Sequence, residues 1–270
     1  DTGFKINWGH KLKRVQYTRH HCEDDVKKRR TIPYFAYIGL TLVFWTTAWA
    51  GEPNDAQWDA LLKANVKGDQ VNYAGFIKNE HFSNYIKAIG ETDPAGLSDQ
   101  KARLAFWINA YNALTIHSVL QHWPGIKSVS NVYPKFAFFD RKEHLVGGQK
   151  VSLNQIENEI IRPIFKDPRI HAALNCASVS CPPLQNYAFT GQKLDPQLDK
   201  AFRAFANDNA RNGVDETSGQ VMLSQIFNWY KIDFEPAGGP AKYISGFIDE
   251  GQRKQTLLKA TNIGFLPYDW

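Results

Sequence analysis

The sequence has little sulfur: three cysteines and one methionine in 270 residues. Cys22 lies ahead of an apolar run, so the body of the chain, residues 51–270, holds only Cys176 and Cys181. Their C-x4-C spacing, with no second tight pair, argues against a structural zinc site, although His144 and His171 could complete a ligand set. No metal or cofactor is therefore expected. The body also lacks any repeat, low-complexity tract or Gly/Ser/Pro-rich linker, which favours a single domain over 51–270. A Gly-x-Ser-x-Gly elbow is missing, which argues against Ser178 or Ser180 as the nucleophile of a serine hydrolase. Excess charge is missing from the body as well. The chain carries a net +5, but nine of its 32 Lys/Arg and four of its 27 Asp/Glu fall in residues 1–50, leaving 23 of each sign in the body. Electrostatic attraction to nucleic acid or anionic lipid thus has no support there.

The first fifty residues carry an address. Lys27, Lys28, Arg29 and Arg30 precede an uncharged run from Thr31 to Ala50 that ends in the small-x-small step Ala48-Trp49-Ala50. Charge, apolar stretch and cleavage step follow the order of a secretory signal over 26–50. An uncleaved anchor is the competing reading, and would be the domain's only tie to a membrane. Pro33, Gly39 and four threonines weaken the run as a spanning helix. Either reading sends the body outward to the periplasm or exterior, because the basic flank stays in the cytoplasm. Residues 1–25 are expected to be upstream read-through, with a non-standard start at Val26.

Within the body, Asn54 or Asp55 can cap a helix bearing Trp58, Leu61 and Leu62, and Phe76 to Ile89 offers a second. The strongest helix runs from a Ser98 cap to about His122, where Trp123-Pro124-Gly125 stops it. It is apolar nearly all round and is expected to be central and buried. Asn109 and Asn112 share one face of it, and buried amides need partners. A hairpin turns at Gly147-Gly148, and Ser152 with Gln155 forms a capping box for a helix to about Ile161, ahead of Pro163. Arg169 to Leu174 reads as a short buried strand running into the loop Asn175 to Asn186. Asp195-Pro196 opens a helix to about Asn209, Val221 to Leu223 a strand, and Ser224 to Tyr230 a short helix. The fold class is α+β: several helices around a small sheet, with one central apolar helix.

Residues 171–183, His-Ala-Ala-Leu-Asn-Cys-Ala-Ser-Val-Ser-Cys-Pro-Pro, concentrate the reactive side chains. Together with Phe106-Trp107-Ile108-Asn109-Ala110-Tyr111-Asn112-Ala113-Leu114, Val151-Ser152-Leu153, Ile156-Glu157 and Tyr268-Asp269-Trp270, they resemble the domain of unknown function 547 family. The resemblance runs from about Asp69 to Trp270. Its matching positions are Asn109, Tyr111, Asn112, Glu157, His171, Cys176, Ser180, Cys181, Pro182, Asp269 and Trp270. Family members usually continue for a few residues past the Tyr-Asp-Trp element. The resemblance also suggests a distant similarity to papain-like or transglutaminase-like thiol enzymes.

Two functions from different classes follow. In the first, Cys176 is the nucleophile of a hydrolase or acyl transferase acting on amide bonds, His171 or His144 is the base, and Asn109 or Asn112 orients the imidazole. A straight strand would put His171 and Cys176 about 16 Å apart on opposite faces, so the chain must bend near Asn175. In the second, a structural Cys176–Cys181 disulfide staples the loop of a non-catalytic module that binds a protein or peptide. Glu157 reads as a buried partner, and His117 and His122 as packing residues at the helix end.

Overall fold

The structure, a computed structural model, describes residues 53–270, so the signal and read-through expectations for 1–50 lie outside the described residues. Asn54 accepts the Gln57 N–H at 3.0 Å and starts α1 (Asp55–Asn65). A tight hairpin of β1 (Val66–Lys67) and β2 (Gln70–Val71) follows. The helix expected over 76–89 begins later. Tyr73–Phe76 is a 3-10 turn, Lys78 takes a positive φ of 52°, and Asn79 caps α2 (Glu80–Glu91) by accepting the Phe82 N–H.

The central helix, α3 (Gln100–Gln121), is where the sequence put it, but its cap is Asp99 rather than Ser98. The Asp99 carboxylate accepts the Ala102 N–H at 2.8 Å, and a negative group suits a helix start. Fourteen of its 22 residues are buried, as expected for a helix that is apolar all round. β3 (His144–Val146) and β4 (Gln149–Val151) pair across Gly147 and Gly148, both at positive φ. The capping box at Ser152 and Gln155 forms with both bonds. The helix it starts then widens to a π-helical stretch, Ile156–Ile161, and passes through Pro163 to Phe165 instead of stopping. Pro163 is tolerated because it falls in the first turn of the resumed α-helix.

The strand expected over Arg169–Leu174 is not a strand. Residues Pro168–Ala172 form 3-10 turns, with Asp167 accepting the Arg169 N–H at 3.0 Å. Asp followed by Pro is a capped helical start, and the apolar run behind it reflects burial on two sides. Ile170, Ala173 and Leu174 belong to a first core built around α3, while Ala172 belongs to a second core. The first core includes a stack of Trp58 on Tyr85, with ring centroids 5.1 Å apart. The second centres on Phe202, Phe205, Phe227 and Phe234. Each such buried ring contributes roughly 1.5–3 kcal/mol.

The helix Leu194–Ala206 supplies Phe202 and Phe205. Beyond it, β5 (Gly213–Val214), β6 (Val221–Leu223) and β7 (Ile263–Phe265) form a three-stranded sheet, antiparallel between β5 and β6 and parallel between β6 and β7. With the two hairpins this makes an α-rich α+β fold. Among the described residues no helix is long and apolar enough to cross a membrane.

Candidate functional site

Asn109 and Asn112 are 1% and 4% exposed, and each bonds main chain through both its oxygen and its nitrogen, Asn109 Nδ2 also donating to Asp55 Oδ1 at 3.4 Å. Asn109 donates to the Phe189 carbonyl at 2.8 Å and accepts the Phe189 N–H at 2.9 Å. That fixes the segment leading to Gly191, where a Cβ would come 2.9 Å from the Ala102 nitrogen, so glycine lets this turn rest directly on α3. Asn112 donates to the Ala173 carbonyl and accepts the Asn175 N–H, both at 2.8 Å. It therefore grips the chain on both sides of Leu174, immediately before Cys176. The expected orientation of an imidazole is not what these amides do here: their bonds go to backbone and, from Asn109, to the Asp55 carboxylate.

The Cys176 loop is closed on itself. The Asn175 side chain accepts the Ala177 N–H at 3.0 Å and donates to the Pro182 carbonyl at 2.9 Å. Ala177 is turned into the left-handed region, with φ 58°. Arg211 donates to the carbonyls of Cys181 and Val179, and is itself held by Asp208 and Asp69. Ser180 and Asp269 exchange two bonds, Ser180 N–H to the Asp269 carbonyl at 3.1 Å and Asp269 N–H to Ser180 Oγ at 2.9 Å. Those bonds bring Tyr268 to the loop.

Both cysteines are free thiols, so the expected disulfide is absent. The Cys181 sulfur accepts the Cys176 N–H at 3.0 Å and its S–H faces the Leu174 carbonyl at 3.7 Å. Cys176 Sγ lies 2.9 Å from Ser178 Oγ and 3.3 Å from Tyr268 Oη, and these two hydroxyls are 3.0 Å apart. The Cys181 side chain first, then the Ser178 and Tyr268 hydroxyls, stabilise the Cys176 thiolate, outweigh burial and lower its pKa to about 7. Cys181 moves the other way, pushed well up by burial and by the neighbouring Cys176.

Neither candidate histidine is a hydrogen-bond partner of the Cys176 thiol among the described residues. His171 is buried, with Nε2 2.8 Å from Asp233 Oδ2 and its ring stacked on Tyr230 at 4.3 Å. Burial pulls the Asp233 carboxyl upward, but bonds from His171 and Arg162 prevail and hold it at about 2. His144 is buried in the first core with Nε2 3.4 Å from Ser118 Oγ, and burial, with His117 adding to it, lowers it to about 4. His117 has a buried Nδ1 without a hydrogen-bond partner, and His122 Nδ1 lies 2.9 Å from the Ser118 carbonyl. Of the four residues weighed as zinc ligands, Cys176 and Cys181 are thus adjacent, while His171 and His144 bond to Asp233 and Ser118 instead. Among the described residues no cluster of three or more His, Cys, Asp or Glu converges on a metal position.

Four tyrosines surround the thiol. Burial raises the phenols of Tyr73, Tyr111, Tyr230 and Tyr268, and the charge of a Cys176 thiolate adds to each. They stay protonated, so each can donate an O–H bond or accept one as a neutral group, as Tyr268 accepts from Ser178 at 3.0 Å. Glu157, in the π-helical stretch, accepts the Tyr111 hydroxyl at 3.3 Å and also engages Tyr230. Tyr111 and Tyr268 were visible as parts of motifs, whereas Tyr73 and Tyr230 gave no signal. Beside Tyr268, Trp270 packs with Trp229, Phe136 and Phe139, and Trp229 remains 45% exposed.

The stretch that carries these amides, Glu157, His171 and both thiols also matches a family model. Residues 94–206 match the family described as "Protein of unknown function, DUF547". Residues 94–206 form a DUF547-family domain. The match is narrower than the resemblance from Asp69 to Trp270, and Tyr230, Asp233 and Tyr268 lie beyond the matched span of the DUF547 domain. No curated protein and no solved structure matches the chain.

Proposed function

We propose that this DUF547 domain is a thiol-dependent acyl transferase or hydrolase acting on amide bonds, with Cys176 as its nucleophile. The observation that carries the reading is the Cys176 thiol held between the Ser178 and Tyr268 hydroxyls, with its pKa lowered to about 7. A thiol in that range is substantially ionised at neutral pH, and the thiolate is the attacking species. Attack on the acyl carbon forms a thioester as the carbon–nitrogen bond breaks. The departing amine takes its proton from solvent through the Ser178 and Tyr268 hydroxyls, and water or a second amine then releases the acyl group. Asn112 is a positioning residue in this scheme, and His171 supports Tyr230 rather than serving as base. The kinship offered by papain-like or transglutaminase-like enzymes is one of chemistry, a cysteine nucleophile. The basic cluster and apolar run of 27–50 support export, which would place the substrate, a peptide or protein, in the cell envelope.

A second reading, a protein- or peptide-binding module without catalysis, draws on exposed Trp229 and its aromatic neighbours. Intact-mass analysis after brief treatment with p-nitrophenyl acetate separates the two. The enzyme reading expects one acetyl group on Cys176, absent in Cys176→Ser. A native protein that remains unlabelled while its unfolded form is acylated overturns it.

A further inference from the structure

The nucleophile reading uses Cys176 and leaves Cys181 without a chemical task, although its sulfur is among the nearest polar atoms to Cys176. We propose that Cys176 and Cys181 together carry out thiol–disulfide exchange, Cys176 as the attacking thiol, Cys181 as the resolving thiol, and a small disulfide as the co-substrate.

Geometry supports the pairing. The Cys181 sulfur lies 3.0 Å from the Cys176 nitrogen. One N–Cα bond adds about 1.46 Å, so that sulfur is within about 4.5 Å of the Cys176 Cα. That places the Cys181 sulfur within reach of the Cys176 sulfur after a rotation of the Cys176 side chain about its Cα–Cβ bond. The loop between them is held in this closed shape by the two bonds of the Asn175 side chain and by Arg211, so the approach does not depend on the thiols themselves.

The two thiols are unequal in the way exchange requires. Cys176 is half-buried, whereas Cys181 is 3% exposed. The Cys181 side chain first, then the two hydroxyls, stabilise the thiolate of Cys176, and burial keeps Cys181 itself protonated until it is needed. The Cys176 thiolate attacks one sulfur of R–S–S–R, forming Cys176–S–S–R and expelling RS⁻. That thiolate takes the Cys181 proton and leaves as RSH. The Cys181 sulfur then attacks the Cys176 sulfur, forming the Cys176–Cys181 disulfide and expelling the second RS⁻, which is protonated by solvent. The pair is oxidised by two electrons and the co-substrate is reduced to two thiols. If the acyl reading holds, on which this clause alone rests, the disulfide occupies the nucleophile and stops acyl transfer.

The experiment treats the full, reduced chain, carrying Cys22→Ser throughout so that only Cys176 and Cys181 can react, with oxidised glutathione and follows intact mass and peptide maps. Wild-type protein should lose one pair of hydrogens, retain no glutathione and yield a peptide linked between Cys176 and Cys181. Cys181→Ser should trap glutathione on Cys176, and Cys181→Ala should do the same if serine perturbs the core. Cys176→Ser should react at least about tenfold more slowly than wild type, as the thiolate fraction at neutral pH falls with a rising thiol pKa. Wild-type protein that keeps glutathione, or fails to react while folded, overturns the proposal. Exchange without acetylation leaves this inference standing and removes the acyl reading, and acetylation without exchange does the reverse.

Discussion

In the first core the neutral amides of Asn109 and Asn112 make their shortest bonds to main chain, Asn109 adding a longer one to the Asp55 carboxylate, whereas the second core ends on His171, Asp233 and Arg162, whose pairing depends on charge. Both arrangements satisfy buried groups, but they answer differently to solution conditions. An amide matched to a carbonyl and an N–H fixes the path of a loop at any pH, and salt does not screen it. A carboxylate shared by an imidazole and a guanidinium holds its partners only while it is ionised. The Cys176 loop leaves the segment between the cores and inherits from both: its position from Asn112, its surroundings from Tyr230 and the charged group behind it.

The largest expected effect comes from removing the neutral clamp. Asn112→Ala leaves the Ala173 carbonyl and the Asn175 N–H without their partner, and two such groups should together cost about 2–5 kcal/mol in urea unfolding. The alkylation profile of Cys176 should also move to higher pH, since the loop that holds the thiol loosens. Unchanged stability with an unchanged profile would show that the clamp does not set the loop.

His144 tests whether the first core is indifferent to pH throughout. Its folded-state pKa, about 4, lies below the ordinary value of 6.5. The unfolded chain therefore binds the proton more readily between those values, so stability present above pH 6.5 is lost as pH falls toward 4. The loss approaches about 3 kcal/mol, and His144→Gln should lack it. Equal pH dependence in the variant and wild type would remove His144 as the cause.

In the second core Asp233 titrates lower, and its folded-state pKa of about 2 lies below the ordinary value of 3.8. Its stabilisation is complete above about pH 4 and is lost as pH falls toward 2. After allowance for solvent screening it amounts to about 1 kcal/mol. Asp233→Asn should flatten that limb of the acid unfolding curve, and a curve parallel to wild type would contradict the charged account. Tyr268→Phe should give the smallest change. Loss of one hydroxyl bond to the thiolate should raise the alkylation pKa of Cys176 by about half a unit to one unit, with little effect on folding.

Local patterning made much of the frame legible. The apolar periphery of α3, the Asn54 cap, the Gly147-Gly148 turn and the Ser152–Gln155 box are all decided by residues within a few positions of one another. The oddity of Asn109 and Asn112 was equally visible, but their partners are backbone atoms 61 to 80 positions away, which no spacing rule supplies. The strand expected at Arg169–Leu174 failed because an apolar run between two cores has the same composition as a buried strand. Asp167-Pro168 was the local signal for the helical turn that forms instead. His171 was legible as a polar residue near Cys176 in sequence, yet its direction is set by Asp233 and Tyr230, 62 and 59 residues further on in a different core. Pairing of the thiols was weighed from compartment and count. What holds them apart is the orientation of the Cys181 S–H toward Leu174.

The two bonds between Ser180 and Asp269 join positions 89 residues apart, and Tyr268, which they deliver, reaches a thiol 92 residues behind it. During synthesis the cysteine loop therefore emerges long before the phenol that completes its surroundings. A nascent chain holds Cys176 without that donor, with a reactivity closer to an ordinary thiol. The tether therefore makes the surroundings of the sulfur a property of the folded domain and not of the cysteine loop alone.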